Sequence, residues 1–313
     1  MESHTMFLEI LYLLTTVLGI SGNVMILIPL MCIIWKGYKT MRAEVILSHL
    51  AMANLLVCLT QGIPYCLYAL GVRELFTDIM CKILLSIFRA ARGLAILLTC
   101  LLSCFQCVTI AQSSKCWVYM KVLMHNHLAL ILVAIYVLNM ANCINLPMFT
   151  VGARNLTSFK YTFNLGYCLV IYPDQLTIQG IGFGMFTRDL LIVITMTTAS
   201  GYILQLLYRH GKQVQTIRAS QQYKERNAEA RASHTVVSLV IAYATLFSLD
   251  CLIWFYQLVM ATEVHPVVSS VRYYLNMCYS TVVPVIIVVF NRKVRNRLKC
   301  ASNTQQTDFK QFT

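Results

Sequence analysis

Seven stretches of this chain are apolar for long enough to cross the hydrocarbon of a bilayer, and no other property constrains its fold as strongly. They run over about 6 to 34, 44 to 70, 81 to 110, 127 to 151, 179 to 207, 233 to 260 and 268 to 290, where a single crossing needs about 20 mainly apolar residues. A soluble domain is about 25% charged. Here 12% of residues are charged and 58% apolar, which excludes a soluble fold. The first run is too long for a signal-peptide core, starts with acidic residues and lacks a small-residue cleavage site, so it reads as the first span.

The net charge of +13 would suit a nucleic-acid binder, but its distribution does not. One alternating set of loops, with the tail, holds 17 of the 25 basic residues, including Lys36, Lys39 and Arg42 in the first loop, six between 208 and 232, and six after 290. The other set holds Arg73, Arg154 and Lys160, and Lys82, Arg89, Arg92, Arg188 and Arg272 lie in or at the ends of apolar runs. Basic loops stay on the cytoplasmic side, so the N-terminus is expected outside and the tail inside, with no nucleic-acid partner. The one glycosylation sequon, Asn155-Leu156-Thr157, falls in a loop that this topology places outside. The expected architecture is an all-α membrane protein with a seven-transmembrane helix bundle over 6 to 290. A short extracellular segment at 1 to 5 precedes it, and a cytoplasmic tail at 291 to 313 carries a short basic amphipathic helix.

No phosphate-binding glycine loop, no dinucleotide fingerprint, no nucleophile with an assigned base and no HExxH pair occurs. That leaves neither an enzyme nor a cofactor reading. No Cys/His spacing suits a metal, since His125 and His127 stand alone at a loop-to-helix junction. Most cysteines, Cys32, Cys58, Cys100, Cys104, Cys107, Cys143, Cys251 and Cys278, sit within apolar runs and read as small buried hydrophobes. A transporter or channel is the reading from another class, but the halves show no repeat and the number of spans is odd. A seven-helix receptor is the default.

Charges inside a membrane cost about 2.5 to 3.5 kcal/mol each on insertion scales and mark function when present. Counting inward from Cys81 places Arg89 about 12 Å and Arg92 about 16 Å below the outer end of the third run, on one helical face. Arg188 and Asp189 lie at comparable depth in the fifth run and Asp250 in the sixth. Internal pairing is one reading. Two acids cannot neutralise three arginines, however, so the other is a guanidinium left for a ligand carboxylate, sulfate or phosphate. Arg188 and Asp189 point about 100° apart, so one of them is expected to face the site. Tyr65, Tyr68, Phe88, Trp254, Phe255 and Tyr256 lie at similar height and offer apolar walls. Cys81 and Cys168 both fall outside, where a bridge can form, with two free thiols or Cys66 as a rival partner the alternatives.

The stretch "CKILLSIFRAARGLAILLTCLLSCFQCVTIAQSSKCW" resembles the helix-three signature of the type 1 vomeronasal receptors and their fish counterparts, the class A-related olfactory receptors. The likeness rests on its Cys-Lys start, the Arg-x-x-Arg-Gly step, the Thr-Cys-Leu-Leu-Ser run and the Phe-Gln before the inner loop. "GISGNVMIL", "LSHLAMANLLVCL", "LPMFTVGARNLT", "EARASHTVVSLV", "LDC" at 249 to 251 and "NRKVRNRLK" extend it over nearly the whole chain. A bitter taste receptor, also seven-helical, does not match the helix-three stretch.

The resemblance implies a rhodopsin-like fold and a chemoreceptor in the plasma membrane of sensory neurons. It would bind a small odorant or pheromone, an acidic one on the arginine argument, at Arg89, Arg92, Arg188, Asp189, Asp250 and Trp254, and would signal through heterotrimeric G proteins of the inhibitory class. It also favours the Cys81 to Cys168 bridge. Its inner loop, with Gln106 and Arg231, and "NRKVRNRLK", lying on membrane lipids, would meet the G protein, with Cys300 a palmitoylation site. Phe105-Gln106-Cys107 stands where rhodopsin-like receptors carry Asp-Arg-Tyr, Asn54 where they carry a sodium-binding Asp, and Pro284 lacks the following Tyr. Neither the arginine lock nor sodium inhibition is therefore expected. Asn23 and Asn54 are expected to hydrogen-bond across helices, and Pro64, Pro147 and Pro284 to kink theirs.

Overall fold

In the low-dielectric interior of a membrane every backbone N–H and C=O must be satisfied within its own segment, so long apolar runs become helices. The computed structural model describes residues 2–35, 42–72, 76–111, 115–144, 146–152, 162–165, 167–214, 220–259 and 266–290. The helices are α1 (Glu2–Trp35), α2 (Arg42–Val57), α3 (Ile63–Ala69), α4 (Asp78–Ile110), α5 (Lys115–Asn126), α6 (Leu128–Ala141), α7 (Gln175–Val214), α8 (Ser220–Val259) and α9 (Pro266–Phe290). A π-helical turn, Cys58–Gly62, joins α2 to α3, with Pro64 in the first turn of α3. Five helical stretches, Glu9–Cys32, Arg42–Ala69, Asp78–Ile110, Gln175–Arg209 and Ser233–Tyr256, are long and apolar enough to cross a membrane. The α5–α6 pair, bent by 73°, makes a sixth if taken as one span.

Four expectations need correction. The chain is not purely helical: β1 (Thr150–Gly152), β2 (Thr162–Asn164) and β3 (Cys168–Ile171) form a small antiparallel sheet in the order β1-β3-β2. The run expected over 127 to 151 is helical only to Ala141, where Asn142 donates its side-chain and backbone N–H groups to Leu138 O. Pro147 then sits in a short 3-10 turn, Leu146–Phe149, rather than kinking a helix. Residues 115 to 126, read as loop, are helical. Of the other prolines, Pro284 lies inside α9. The side chain of Arg231 and all of Asn155, Cys300 and the tail lie outside the described residues.

The helix α4 is central: 72% of its most apolar window is buried, against 28% for α1 and 22% for α7. Ile96, Leu98 and Leu102 on α4 meet Ile46 and Leu50 of α2, Met196 of α7, Leu239 of α8 and Ile287 of α9 in one core. Close helix approach depends on missing side chains at two points. A Cβ on Gly22 would strike Pro284 of α9, and one on Gly93 would strike Asn139 Oδ1, whose amide group donates to Ala90 O across the α4–α6 seam at 2.7 Å.

Candidate ligand-binding site

A disulfide between Cys81, in the first turns of α4, and Cys168, at the start of β3, holds the small sheet over one end of the helices. Asp78 Oδ1 accepts the Gly152 N–H at 2.7 Å, adding a second tether. Phe76, Leu85, Tyr167, Val170 and Tyr172 pack round the bridge as a second, smaller core. Asp174 caps α7 by accepting the Thr177 N–H at 2.7 Å, and the Thr177 hydroxyl and backbone hold its carboxyl below the ordinary carboxylate value. Cys66 is a free cysteine, so the rival pairing does not form. Among the other cysteines, Cys58, Cys107 and Cys143 are buried as expected of small hydrophobes, whereas Cys32 is exposed.

Beneath this roof lies a cavity of about 190 Å³. Helical periodicity explains which residues reach it: Arg89 and Arg92 on α4, Phe247, Asp250 and Trp254 on α8, and Arg272 and Asn276 on α9 are spaced by three or four residues, and on α7 the adjacent Arg188 and Asp189 follow Met185 by three and four. Leu165, Val170 and Tyr172 complete it from above. All six residues expected to bind ligand line it. Arg188 and Asp189 both do, contrary to the expectation that one would face away, because Arg188 folds onto its neighbour and donates from Nε and Nη2 to Asp189 Oδ1 at 2.9 and 2.7 Å.

The charges divide unevenly. Asp250 accepts Arg92 Nη2 on one oxygen at 3.4 Å and Arg272 Nε on the other at 3.0 Å. With Arg188 on Asp189, two carboxylates serve three guanidinium groups. The fourth, Arg89, has no carboxylate partner among the described residues. Its hydrogen-bond partners among the described residues are neutral, while the charges of Arg92 and Arg188 act on it from nearby: Nη2 donates to the Met185 thioether at 2.8 Å, a weak acceptor, and the guanidinium also bonds to the Tyr172 side chain. The lining thus carries four formal positive charges against two negative ones.

Arg272 escaped the sequence reading, although it stood among the basic residues of the apolar runs. Its place in the outer half of the last run, beside a preceding run that carries Asp250 in its own outer half, was the available signal. Met185 and Asn276 had none. Of the aromatic residues expected as walls, Phe88 and Trp254 line the cavity. Trp254 stacks on Phe186 at 5.7 Å between ring centres and meets Phe183 edge-on. Tyr65 instead stacks on Tyr12 at 4.0 Å, Tyr68 packs with the disulfide core, and Phe255 and Tyr256 are exposed. Asn23 and Asn54 do not bond to each other: Asn23 donates to Ser280 O and Asn54 Oδ1 accepts the Ser280 hydroxyl, so α9 bridges them. Gln106 is 8% exposed, covered rather than presented on the inner surface. Among the described residues no group of three His, Cys, Asp or Glu could hold a metal.

The model of the vomeronasal organ pheromone receptor family matches residues 6–300. "Olfactory receptor class A-like protein 1" of Danio rerio is 38% identical over 296 residues, covering 94% of this chain and 92% of the relative. "Vomeronasal type-1 receptor 2" of Homo sapiens is 29% identical over 88% of this chain and 70% of its own length. "Vomeronasal type-1 receptor 90" of Rattus norvegicus is 28% identical over 82% of both chains. With a match spanning nearly the whole sequence, the chain belongs to the vomeronasal organ pheromone receptor family.

Proposed function

We propose that this receptor binds a small acidic odorant or pheromone in the cavity under the β-sheet, and that binding activates a heterotrimeric G protein of the inhibitory class. Family membership makes the chain a chemosensory G protein-coupled receptor for pheromones, and not an enzyme. The finer reading adds seven rhodopsin-like spans with the N-terminus outside, in the plasma membrane of chemosensory neurons. The seventh span is supported by α9, whose 25 residues reach about 37 Å. The orientation is supported by the 17 basic residues gathered on one side.

One observation carries the ligand class: Arg89 faces the cavity with only neutral hydrogen-bond partners among the described residues, the Met185 thioether and the Tyr172 side chain. A carboxylate or sulfate would give that guanidinium two charge-assisted hydrogen bonds and the counter-charge it lacks. The volume of about 190 Å³ lies below the roughly 300 to 1,000 Å³ of sites for drug-sized ligands, so the ligand is small. Its apolar part lies against Phe88, Phe186 and Trp254. Activation follows if the ligand binds better to the state whose inner helix ends have separated. The inner loop of 208 to 232 with Arg231, Gln106 uncovered by that separation, and "NRKVRNRLK" on the lipid surface then meet the G protein. Asn155 carries the glycan and Cys300 a palmitoyl chain in this arrangement.

The test is a ligand screen in cells co-expressing the receptor with a promiscuous G protein, using acidic, neutral and amine compounds in equal number. Responses confined to acids are expected. Responses to amines alone would overturn the reading and shift ligand contact to Asp189 and Asp250.

A further inference from the structure

We propose that the groove between the start of α2 and the α5–α6 bend is a binding site for an anionic phospholipid of the inner leaflet. The leaflet assignment rests on the orientation proposed above; the site itself does not. The bend of 73° at the α5–α6 junction swings α5 away from the axis of α6 and leaves a trough of about 520 Å³ against α2, more than twice the volume of the outer cavity.

The trough has two chemically distinct ends. Its mouth carries Arg42 and His125, and Lys121 lies close enough for its charge, with that of Arg42, to act on the His125 ring. Arg42 makes no ion pair or hydrogen bond with any described residue, and no carboxylate among the described residues lines the groove. Glu44, two residues on, is buried in α2. Beyond the mouth, Val45, Leu132, Val133 and Tyr136 form an apolar channel running about 12 Å along α6 from Leu128 to Tyr136. A hydrogen bond of 2.9 Å between His49 Nδ1 and the Tyr136 hydroxyl keeps both polar groups occupied, so neither interrupts the apolar surface.

A cationic mouth on an apolar trough matches a phosphate headgroup followed by an acyl chain. The outer face of α6 decides between a lipid and a soluble anion. Leu130, Val133, Val137, Leu138 and Met140 are each more than half exposed, so the groove opens sideways onto an apolar, lipid-facing surface rather than into water. Basic pockets between helices on the cytoplasmic side select anionic headgroups, since the negative leaflet concentrates them there.

The experiment is native mass spectrometry of the purified full-length receptor in mixed micelles, titrated with phosphatidylcholine, phosphatidylserine or phosphatidylinositol bisphosphate. The wild type is expected to retain the anionic lipids over phosphatidylcholine. Arg42→Gln should lower anionic-lipid occupancy about fivefold, the contribution of one basic residue at such a surface. His125→Gln should reduce it less, and Lys82→Gln, at the opposite end of α4, not at all. Val133→Trp, which fills the trough without touching the charges, should reduce retention of every lipid and covers the case in which Arg42→Gln folds poorly. Equal retention of all three lipids by the wild type, or full retention by both Arg42→Gln and Val133→Trp, would overturn the site. Displacement of the adducts by inorganic phosphate alone would assign it to a soluble anion. Loss of receptor dimers rather than lipid adducts in the variants would assign it to a second copy. Orientation is read separately, from protease access to tags at the two termini. A tag on the wrong side overturns the leaflet, while lipid adducts in micelles report the site irrespective of it.

Discussion

Replacing Asp250 with Asn tests whether the cavity charges hold the helices together. Asp250 accepts one arginine from α4 and one from α9 on separate oxygens, and its side chain is 12% exposed, so Asn leaves two guanidinium groups converging on a neutral amide. Breaking a buried pair by removing one partner costs about 3 to 5 kcal/mol. Arg92 and Arg272 keep 28% and 20% exposure, so their charge remains partly hydrated and the low end, about 3 kcal/mol, applies. In a chain of this size that lowers the unfolding midpoint by roughly 5 to 10 °C, measurable on the purified receptor with a thiol-reactive dye that reports exposure of the buried cysteines. The double variant Asp250→Asn, Arg272→Gln removes one stranded cation and should recover at least about 1 kcal/mol, the size of coupling expected between groups in direct contact. Two equal losses, with and without Arg272, would show that Asp250 and Arg272 are not coupled and refute the reasoning. So would an Asp250→Asn receptor as stable as the wild type.

Arg89→Gln should leave stability and surface level unchanged, since no carboxylate depends on it, while potency for acidic agonists falls roughly 10- to 100-fold, a charge-assisted hydrogen bond being worth about 1.5 to 3 kcal/mol; dose-response curves on surface-normalised cells check this. Gly93→Ala drives a methyl group into Asn139 Oδ1 and should cost about 1 to 3 kcal/mol of overpacking, restored by Asn139→Ala in the same background, as thermal unfolding would show. Cys168→Ser frees the β-sheet from α4 and should abolish agonist response at surface levels that remain detectable by flow cytometry. An unaltered response would mean that Asp78 and the Phe76–Tyr172 core seat the roof unaided.

Length and hydropathy were enough to read most of the helical stretches, because lipid allows a long apolar run almost no alternative to a helix. Boundaries were less legible. The fourth run stays apolar past Ala141, yet the local bonds of Asn142 and the ring of Pro147 end the helix there, and hydropathy does not register either effect. The three-residue strands around Thr150 and Thr162 are too short to show alternation and are organised by a bridge between cysteines 87 positions apart. Within the site, the i, i+3 pair of arginines on α4 was readable from spacing alone. The backward fold of Arg188 onto Asp189 was not, because it depends on side-chain torsions rather than helical phase. Arg272 near a span end could as well snorkel to the interface, and its pairing with Asp250 on the adjacent helix, which the sequence does not show, turns it inward.

That correction changes how the site relates to the rest of the bundle. With Arg272 included, α9 makes a polar contact at successive depths with most of the other long helices. Arg272 meets Asp250 of α8, the Tyr279 hydroxyl meets Thr99 of α4 at 2.6 Å, the Ser280 hydroxyl meets Asn54 of α2, and the Ser280 carbonyl meets Asn23 of α1. Each of these is buried or nearly so, and a buried polar group left without its partner costs about 1 to 3 kcal/mol, so α9 moves by exchanging a set of bonds rather than by sliding freely. Asp250 is shared with Arg92, which lies on the same face of α4 as the cavity-facing Arg89. Were the proposed anion to seat on Arg89 and draw Arg92 toward it, the hold of Arg92 on Asp250 would weaken, and Asp250 could then satisfy both of its oxygens with Arg272. The ligand would thereby act on a helix bonded to α1, α2, α4 and α8, which would give the arginine pair near the disulfide end of α4 a physical route to the opposite end of the bundle.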